Sequence, residues 1–259
     1  MNTIYILGII LFVLMTIIGK KQGIITFLTF IFNLGVLFLD ILGIKFHFSP
    51  VIVTIITGII ILATSIFWRK GNDSLSSIAF YSSIIVTAIL LILIELIEYK
   101  AKVYGFGKED TASLEGLSLY IGLPLYKIEI CTIILSTLGA TADTAITIVS
   151  GLGEIKQKTP KITQKQLFSD GLQVGNKILS TTFNTLFFGF FGGFLALFIW
   201  FVGLHYSIGQ VLNDKIFVRQ LLMILVAFIG VLLIVPISSF LASLKLSNKG
   251  LKNNGRRTG

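Results

Sequence analysis

The chain has 259 residues, of which 54% are apolar and only 13% charged, with a mean hydropathy of +0.93; a soluble domain carries about 25% charged residues. That composition excludes a soluble globule and a disordered chain, and the single cysteine, Cys131, excludes an intrachain disulfide scaffold or a cysteine metal cluster. With a formal net charge of +9, the sequence reads as an all-α integral membrane protein whose solvent is the bilayer.

A membrane-crossing helix needs about 20 mostly apolar residues. Taken along the chain, that length predicts a polytopic bundle of about seven spans at residues 3–18, 24–42, 51–68, 77–97, 128–150, 179–203 and 217–244. The first is the shortest. No Lys or Arg precedes it and no small-residue cleavage site follows it, so it reads as a retained helix and not as a signal peptide. The turn Gly19, Lys20, Lys21, Gln22, Gly23 joins it to the second span as a helix pair. Residues 98–127 are glycine-bearing with an apolar patch at 114–125, and predict an interfacial or re-entrant segment. In residues 151–178, Thr159 and Pro160 break the helix. Leu167, Phe168, Leu172, Val174 and Ile178 then predict a short surface helix feeding the sixth span. Residues 1–244 form one transmembrane domain, and 245–259 are expected to be a disordered basic tail.

Seven spans put alternate connections on opposite faces. One face collects Lys20, Lys21, Arg69, Lys70, the five lysines of 151–178 and the five basic residues of 245–259, twice as many Lys and Arg as the other. The positive-inside bias makes that face cytoplasmic, with the N-terminus outside, the C-terminus inside, and the excess charge toward anionic headgroups. Topology accounts for the charge, and no motif or aromatic platform points to nucleic acid.

Ionisable groups inside a span are costly and mark function or a buried partner. Asp143 lies on a stripe of small and polar residues, Thr132, Ser136, Ala140, Asp143, Thr147, Ser150 and Glu154, spaced three or four apart and so on one helix face. It is expected to face other helices or a wet cavity, with Ile130, Ile133, Ile134, Ile146 and Val149 toward lipid or core. Counted from Ser150, Asp143 sits roughly 10 Å deep, Asn184 roughly 8 Å from Leu179 and Asn33 roughly 13 Å from Ile24. Asn33, Thr147, Thr181 and Asn184 are therefore predicted to share a polar layer with Asp143. Asp143 is either a coupling group for a proton, cation or substrate, or a neutral hydrogen-bonded packing residue. Asp40 and Glu95, near helix ends, are expected to reach headgroups or water. Gly139, Gly189 and Gly193 are assigned to helix packing, the last two by their GxxxG spacing. Pro236 predicts a kink in the last span. His47 and His205 are far apart in sequence, and no metal or cofactor is expected.

Enzyme chemistry is not expected. Asp40 lies outside the Asp143 layer that an intramembrane aspartyl protease would need for its pair. Neither histidine is at the depth of a catalytic base, and no lysine stands between Phe217 and Leu244 to carry a retinal Schiff base.

The run LSTLGATADTAITIVSGLGE, Leu135 to Glu154, resembles the most characteristic segment of the YibE/F family of bacterial multi-pass membrane proteins. The turn at Gly19 to Gly23 and the segment from Leu167 to Gly193 extend the likeness over most of the chain. Gly139, Asp143, Ser150, Glu154, Gly171, Thr181, Thr182 and Asn184 fall on matching positions. The length resembles the smaller, domainless partner of the pairs found in this family. A more distant likeness is to the fourth and fifth transmembrane helices of resistance-nodulation-division permeases, through Asp143, Asp170, Gly171, Thr181, Thr182 and Thr185. The Asp-Asp of those permeases is Ala142-Asp143 here, which leaves one carboxylate and not two. The resemblance implies a permease or exporter subunit of the bacterial cytoplasmic membrane, coupled to a proton or cation through Asp143. It also implies a homodimer, or a heterodimer with a larger sister subunit. The alternative is a non-transporting membrane partner that stabilises or regulates a sister subunit.

Overall fold

In hydrocarbon, every backbone N–H and C=O has to be satisfied within the segment that carries it, so runs rich in Ile, Val, Thr and Phe, residues that favour strands in water, fold here as helices. The computed structural model describes residues 2–68, 73–101 and 125–254, with side chains for 3–68, 74–101 and 125–247. Eight helices are described: α1 (Asn2–Lys45), α2 (Pro50–Phe67), α3 (Asp73–Ala101), α4 (Leu125–Lys158), α5 (Gln164–Gly193), α6 (Leu195–Gly203), α7 (Ile208–Leu212) and α8 (Lys215–Asn254). Five of them, α1 to α4 and α8, are long and apolar enough to cross a membrane. The pair α5 and α6, bent by 51°, makes a sixth if it is taken as one span. Most of the segment predicted to be interfacial, 98–127, lies outside the described residues.

Residues 3–18 and 24–42, predicted as two spans, are the two parts of one helical run, α1. That run breaks only at Lys20, whose φ of 48° and ψ of −130° are not helical. The rings of Phe12 and Phe27 lie 4.9 Å apart, whereas fifteen residues of straight helix would separate them by about 22 Å. The two arms of α1 therefore lie alongside one another. A Cβ at Gly23 would collide with the backbone carbonyl of Met15, which makes glycine the residue that lets the arms meet. The surface helix predicted before the sixth span is continuous with it. Thr163 caps α5 through a reciprocal pair with Gln166, and the helix runs unbroken to the bend at Phe194. At the other end, α8 carries helical structure through Lys245 to Asn254, and residues 255–259 lie outside the described residues.

The centre of the bundle is α4, which packs on α8, α3, α2 and α5, while α1 leans on α2. Ile133, Ile134, Ile148 and Leu152 of α4 are fully buried, with Leu90 and Ile94 of α3 and Ile234 of α8. Several buried hydroxyls are satisfied inside their own helices: Ser82 donates to the Ile78 carbonyl, Thr141 to that of Thr137 and Ser243 to that of Phe240. Such back-bonding lets polar residues sit in an apolar interior.

Helices approach most closely where glycines face them. Gly230 of α8 lies against Leu90 and Thr141, and Gly171 and Gly175 of α5 lie against Ser239 and Val235 of α8. The latter pair is a GxxxG spacing that holds two helices together. Gly139, Gly189 and Gly193, predicted for packing, have no neighbouring atom within 4 Å of a built Cβ, so they are not packing positions inside this chain. Gly175→Leu is accordingly expected to destabilise the purified protein by about 1–3 kcal/mol through overpacking. Val235→Ala in the same chain should recover part of that, and Gly189→Leu should leave thermal unfolding in detergent unchanged.

Candidate functional site

The 3.6-residue period sorts α4 into two faces, and of the two settings open to the isoleucine face, lipid or core, the structure gives it the core. Ile130, Ile133, Ile134 and Val149 face the core. Thr132, Ser136, Asp143, Thr147, Ser150 and Glu154 are exposed, with Ala140 half-buried. The hydroxyls on this stripe bond locally: Thr132 donates to the Ile128 carbonyl at 2.9 Å, Ser136 to that of Ile133 at 2.8 Å and Thr147 to that of Asp143 at 2.8 Å. Neighbouring α5 also turns polar positions outward. Thr181, Asn184 and Thr185 are exposed, with Thr181 donating to the Ile178 carbonyl at 2.8 Å and Thr185 to that of Thr181 at 2.9 Å. The two helices meet where Gly151 faces Val174. Counted from that crossing, Asp143 rises about 12 Å and Thr181 to Asn184 about 10–15 Å, so these groups stand at comparable height.

Asn33 does not join them. Its amide donates to Ser65 Oγ at 3.0 Å and accepts from Thr64 Oγ1 at 2.6 Å, so it ties α1 to α2. The predicted polar layer thus divides into an exposed stretch on α4 and α5 and a separate seam between α1 and α2.

Asp40, expected to reach headgroups or water, is buried at 3% exposure. Its carboxylate accepts from Thr54 Oγ1 at 3.1 Å and from Thr57 Oγ1 at 3.0 Å, and Cys131 of α4 stands beside Thr54. Position near a helix end suggested water; the neighbouring α2 hydroxyls supply the hydrogen bonds instead.

Sequence reasoning missed a second charged cluster, where the last turn of α3 meets the first turns of α4 and α8. Glu98 and Glu129 are 4% and 5% exposed. Arg219 Nε lies 2.8 Å from Glu129 Oε2, and the same guanidinium attracts Glu98. The cluster borders a cavity of about 660 Å³ whose walls include Glu95, Glu98, Tyr99 and Tyr126. The available signal was Glu129 and Arg219 themselves: two opposite charges, each just inside an end of a predicted helix, where an unpaired charge would be costly.

His47 and His205, both with positive φ, are exposed. Among the described residues no three His, Cys, Asp or Glu side chains gather as metal ligands.

Compared with curated proteins and with solved structures, the chain gives no match. The YibE/F-like protein family matches residues 7–248, nearly the whole length, including the α4 stripe and the glycine-faced contact of α5 with α8, and the chain therefore belongs to the YibE/F family.

Proposed function

We propose that this protein is a permease or exporter subunit of the bacterial cytoplasmic membrane, coupled to a proton or cation through Asp143. In this reading the two arms of α1 each cross the bilayer, as does the bent pair α5 and α6. That gives seven crossings, with the N-terminus outside and the C-terminus inside. The subunit works as a dimer, with a second copy or with a larger sister.

The observation that carries the reading is the exposure of Asp143 and its polar stripe on a membrane-spanning helix. A charged group near the centre of a lone span costs about 2.5–3.5 kcal/mol on insertion scales, so this face calls for a partner helix or a water-lined path. A water-lined path puts a titratable carboxyl where solute or protons pass, whereas a partner helix alone makes it a hydrogen-bonded packing residue. A second reading, a non-transporting partner that stabilises or regulates a sister subunit, is supported by Gly189 and Gly193, whose open surroundings let a neighbouring helix come close.

The assembly is tested by disulfide cross-linking in native membranes with Cys131→Ser as background. Thr147→Cys is expected to give a band at twice the protomer mass, or one joined to a larger subunit. Leu232→Cys, exposed on α8, is expected to remain monomeric. Equal cross-linking at both positions would remove the support that the stripe gives. Transport is tested separately by Asp143→Asn in a deletion strain.

A further inference from the structure

We propose that the groove between the second arm of α1 and the end of α2 is a binding site for an anionic phospholipid. Ile25, Leu28, Ile31 and Phe32 of α1 line it with Phe67 and Trp68 at the end of α2, around a volume of about 740 Å³, which falls within the roughly 300–1,000 Å³ of small-molecule pockets. This lining is hydrocarbon and aromatic, the chemistry of an acyl chain. The rings of Phe32 and Trp68, 5.2 Å apart, join the two walls. Just beyond Phe32, the Asn33 amide bonds Ser65 and Thr64 of α2, so the two helices close on one another at the deep end. The first arm of α1 lies elsewhere: its Phe12 meets Phe27, which stands about 130° around the helix from the face of Ile25, Leu28 and Phe32.

Charge at the other end selects the headgroup. Residues 21, 25, 28 and 32, spaced four, three and four apart, share one helix face, so Lys21 stands one turn before Ile25 in line with the groove. Lys21 and its neighbour Lys20 are exposed. Residues 20–39 and 50–68, the segments that build the groove, contain no Asp or Glu and carry positive charge only. From Lys21 to Phe32 the helix rises about 16 Å, close to half of the roughly 30 Å hydrocarbon core. One lipid of a single leaflet therefore spans the groove, with its phosphate at the lysines and its tail reaching Phe32 and Trp68. Lipid tails surround the whole bundle and are as apolar as this wall, so tail contact alone does not choose a lipid. An anionic headgroup against two lysines does. The site lies on α1 and α2, apart from Asp143 on α4, and does not require that the protein transport anything.

The test uses the two tryptophans of the chain. Trp200→Phe, at an exposed residue of α6, leaves Trp68 on the groove wall as the single fluorophore. The full-length variant is placed in phosphatidylcholine bilayers at about 0.15 M salt, where the field of the bulk membrane surface is screened within about 8 Å. Phosphatidylglycerol with dibrominated tails, or phosphatidylcholine with the same tails, is then added and quenching of Trp68 is followed. Half-maximal quenching is expected at about a tenfold lower fraction of the anionic lipid. Lys20→Gln with Lys21→Gln is expected to bring the two curves within about twofold of each other. If that double variant is not monodisperse on gel filtration, Lys21→Gln alone decides, with an expected loss of at least threefold in preference. Trp68→Phe, which leaves Trp200 to report, is expected to show no preference. Unbrominated phosphatidylglycerol is expected to relieve the quenching of Trp68, and inorganic phosphate is not. Equal quenching of Trp68 by the two lipids, a preference unchanged in the lysine variants, the same preference at Trp200, or relief by inorganic phosphate would each overturn the proposal.

Discussion

Asp143→Asn is expected to leave the protein as abundant in the membrane as the wild type, and to abolish whatever phenotype the wild-type gene restores to a deletion strain. The side chain is exposed in the protomer, so asparagine of nearly the same shape opens no cavity and displaces no core residue. The Thr147 hydroxyl binds the Asp143 backbone carbonyl, which the substitution leaves in place. What disappears is the ability to hold or release a proton and to attract a cation. Cellular metal content and sensitivity to a panel of ions and toxic compounds, compared among deletion, wild type and Asp143→Asn at equal abundance, provide the measurement. A solute whose level changes in both mutants ties its movement to the carboxylate. Full rescue by Asp143→Asn would instead end the coupling role and give the non-transporting partner reading the lead.

The second large effect concerns stability. Arg219→Met is expected to cost about 3 kcal/mol, because it strands Glu129 beside Glu98 with no compensating charge, and breaking a buried pair costs about 3–5 kcal/mol. The lower end applies because Arg219 keeps 27% of its side chain exposed against 6% for Glu129. The same asymmetry orders the single variants. Glu129→Gln should cost less, since an arginine left behind can turn its head toward water. The double variant Glu129→Gln with Arg219→Met should be more stable than Arg219→Met alone, the non-additivity expected of residues in contact. Thermal unfolding in detergent checks the order, and Glu129→Gln proving worse than Arg219→Met would contradict it.

These two sites were unequally legible in the sequence. The stripe through Asp143 follows from spacing alone, because side chains three and four apart share a helix face. Spacing does not say whether that face meets this chain's own helices or lies outside them, and here the isoleucines opposite took the core. Glycine pairs carry the same ambiguity. Gly171 and Gly175 repeat the spacing of Gly189 and Gly193, yet only the first pair finds α8 beside it. Helices α2, α3, α4 and α8 were legible to within a few residues, apart from extensions past their predicted ends, because twenty apolar residues leave the backbone few alternatives in a bilayer. The junction in α1 was legible as a turn. Its confinement to one residue was not, since it depends on how closely Gly23 can approach Met15. Asp40 and Glu129 were misplaced or overlooked for one reason: distance from a helix end is a poor measure of burial when a neighbouring helix extends past it.

The central position of α4 also bears on how the protein enters the membrane. Among the five spanning helices its most apolar stretch has the lowest mean hydropathy, and that stretch is also the one most enclosed by other helices. A helix partitions into lipid according to its own apolar surface, and the stripe through Asp143 reduces that surface on one whole side. Helices α3 and α8 are more apolar and cover its other side. The helix around which the bundle is built is therefore the one least suited to the bilayer alone, and the one that most needs its neighbours α3 and α8 beside it.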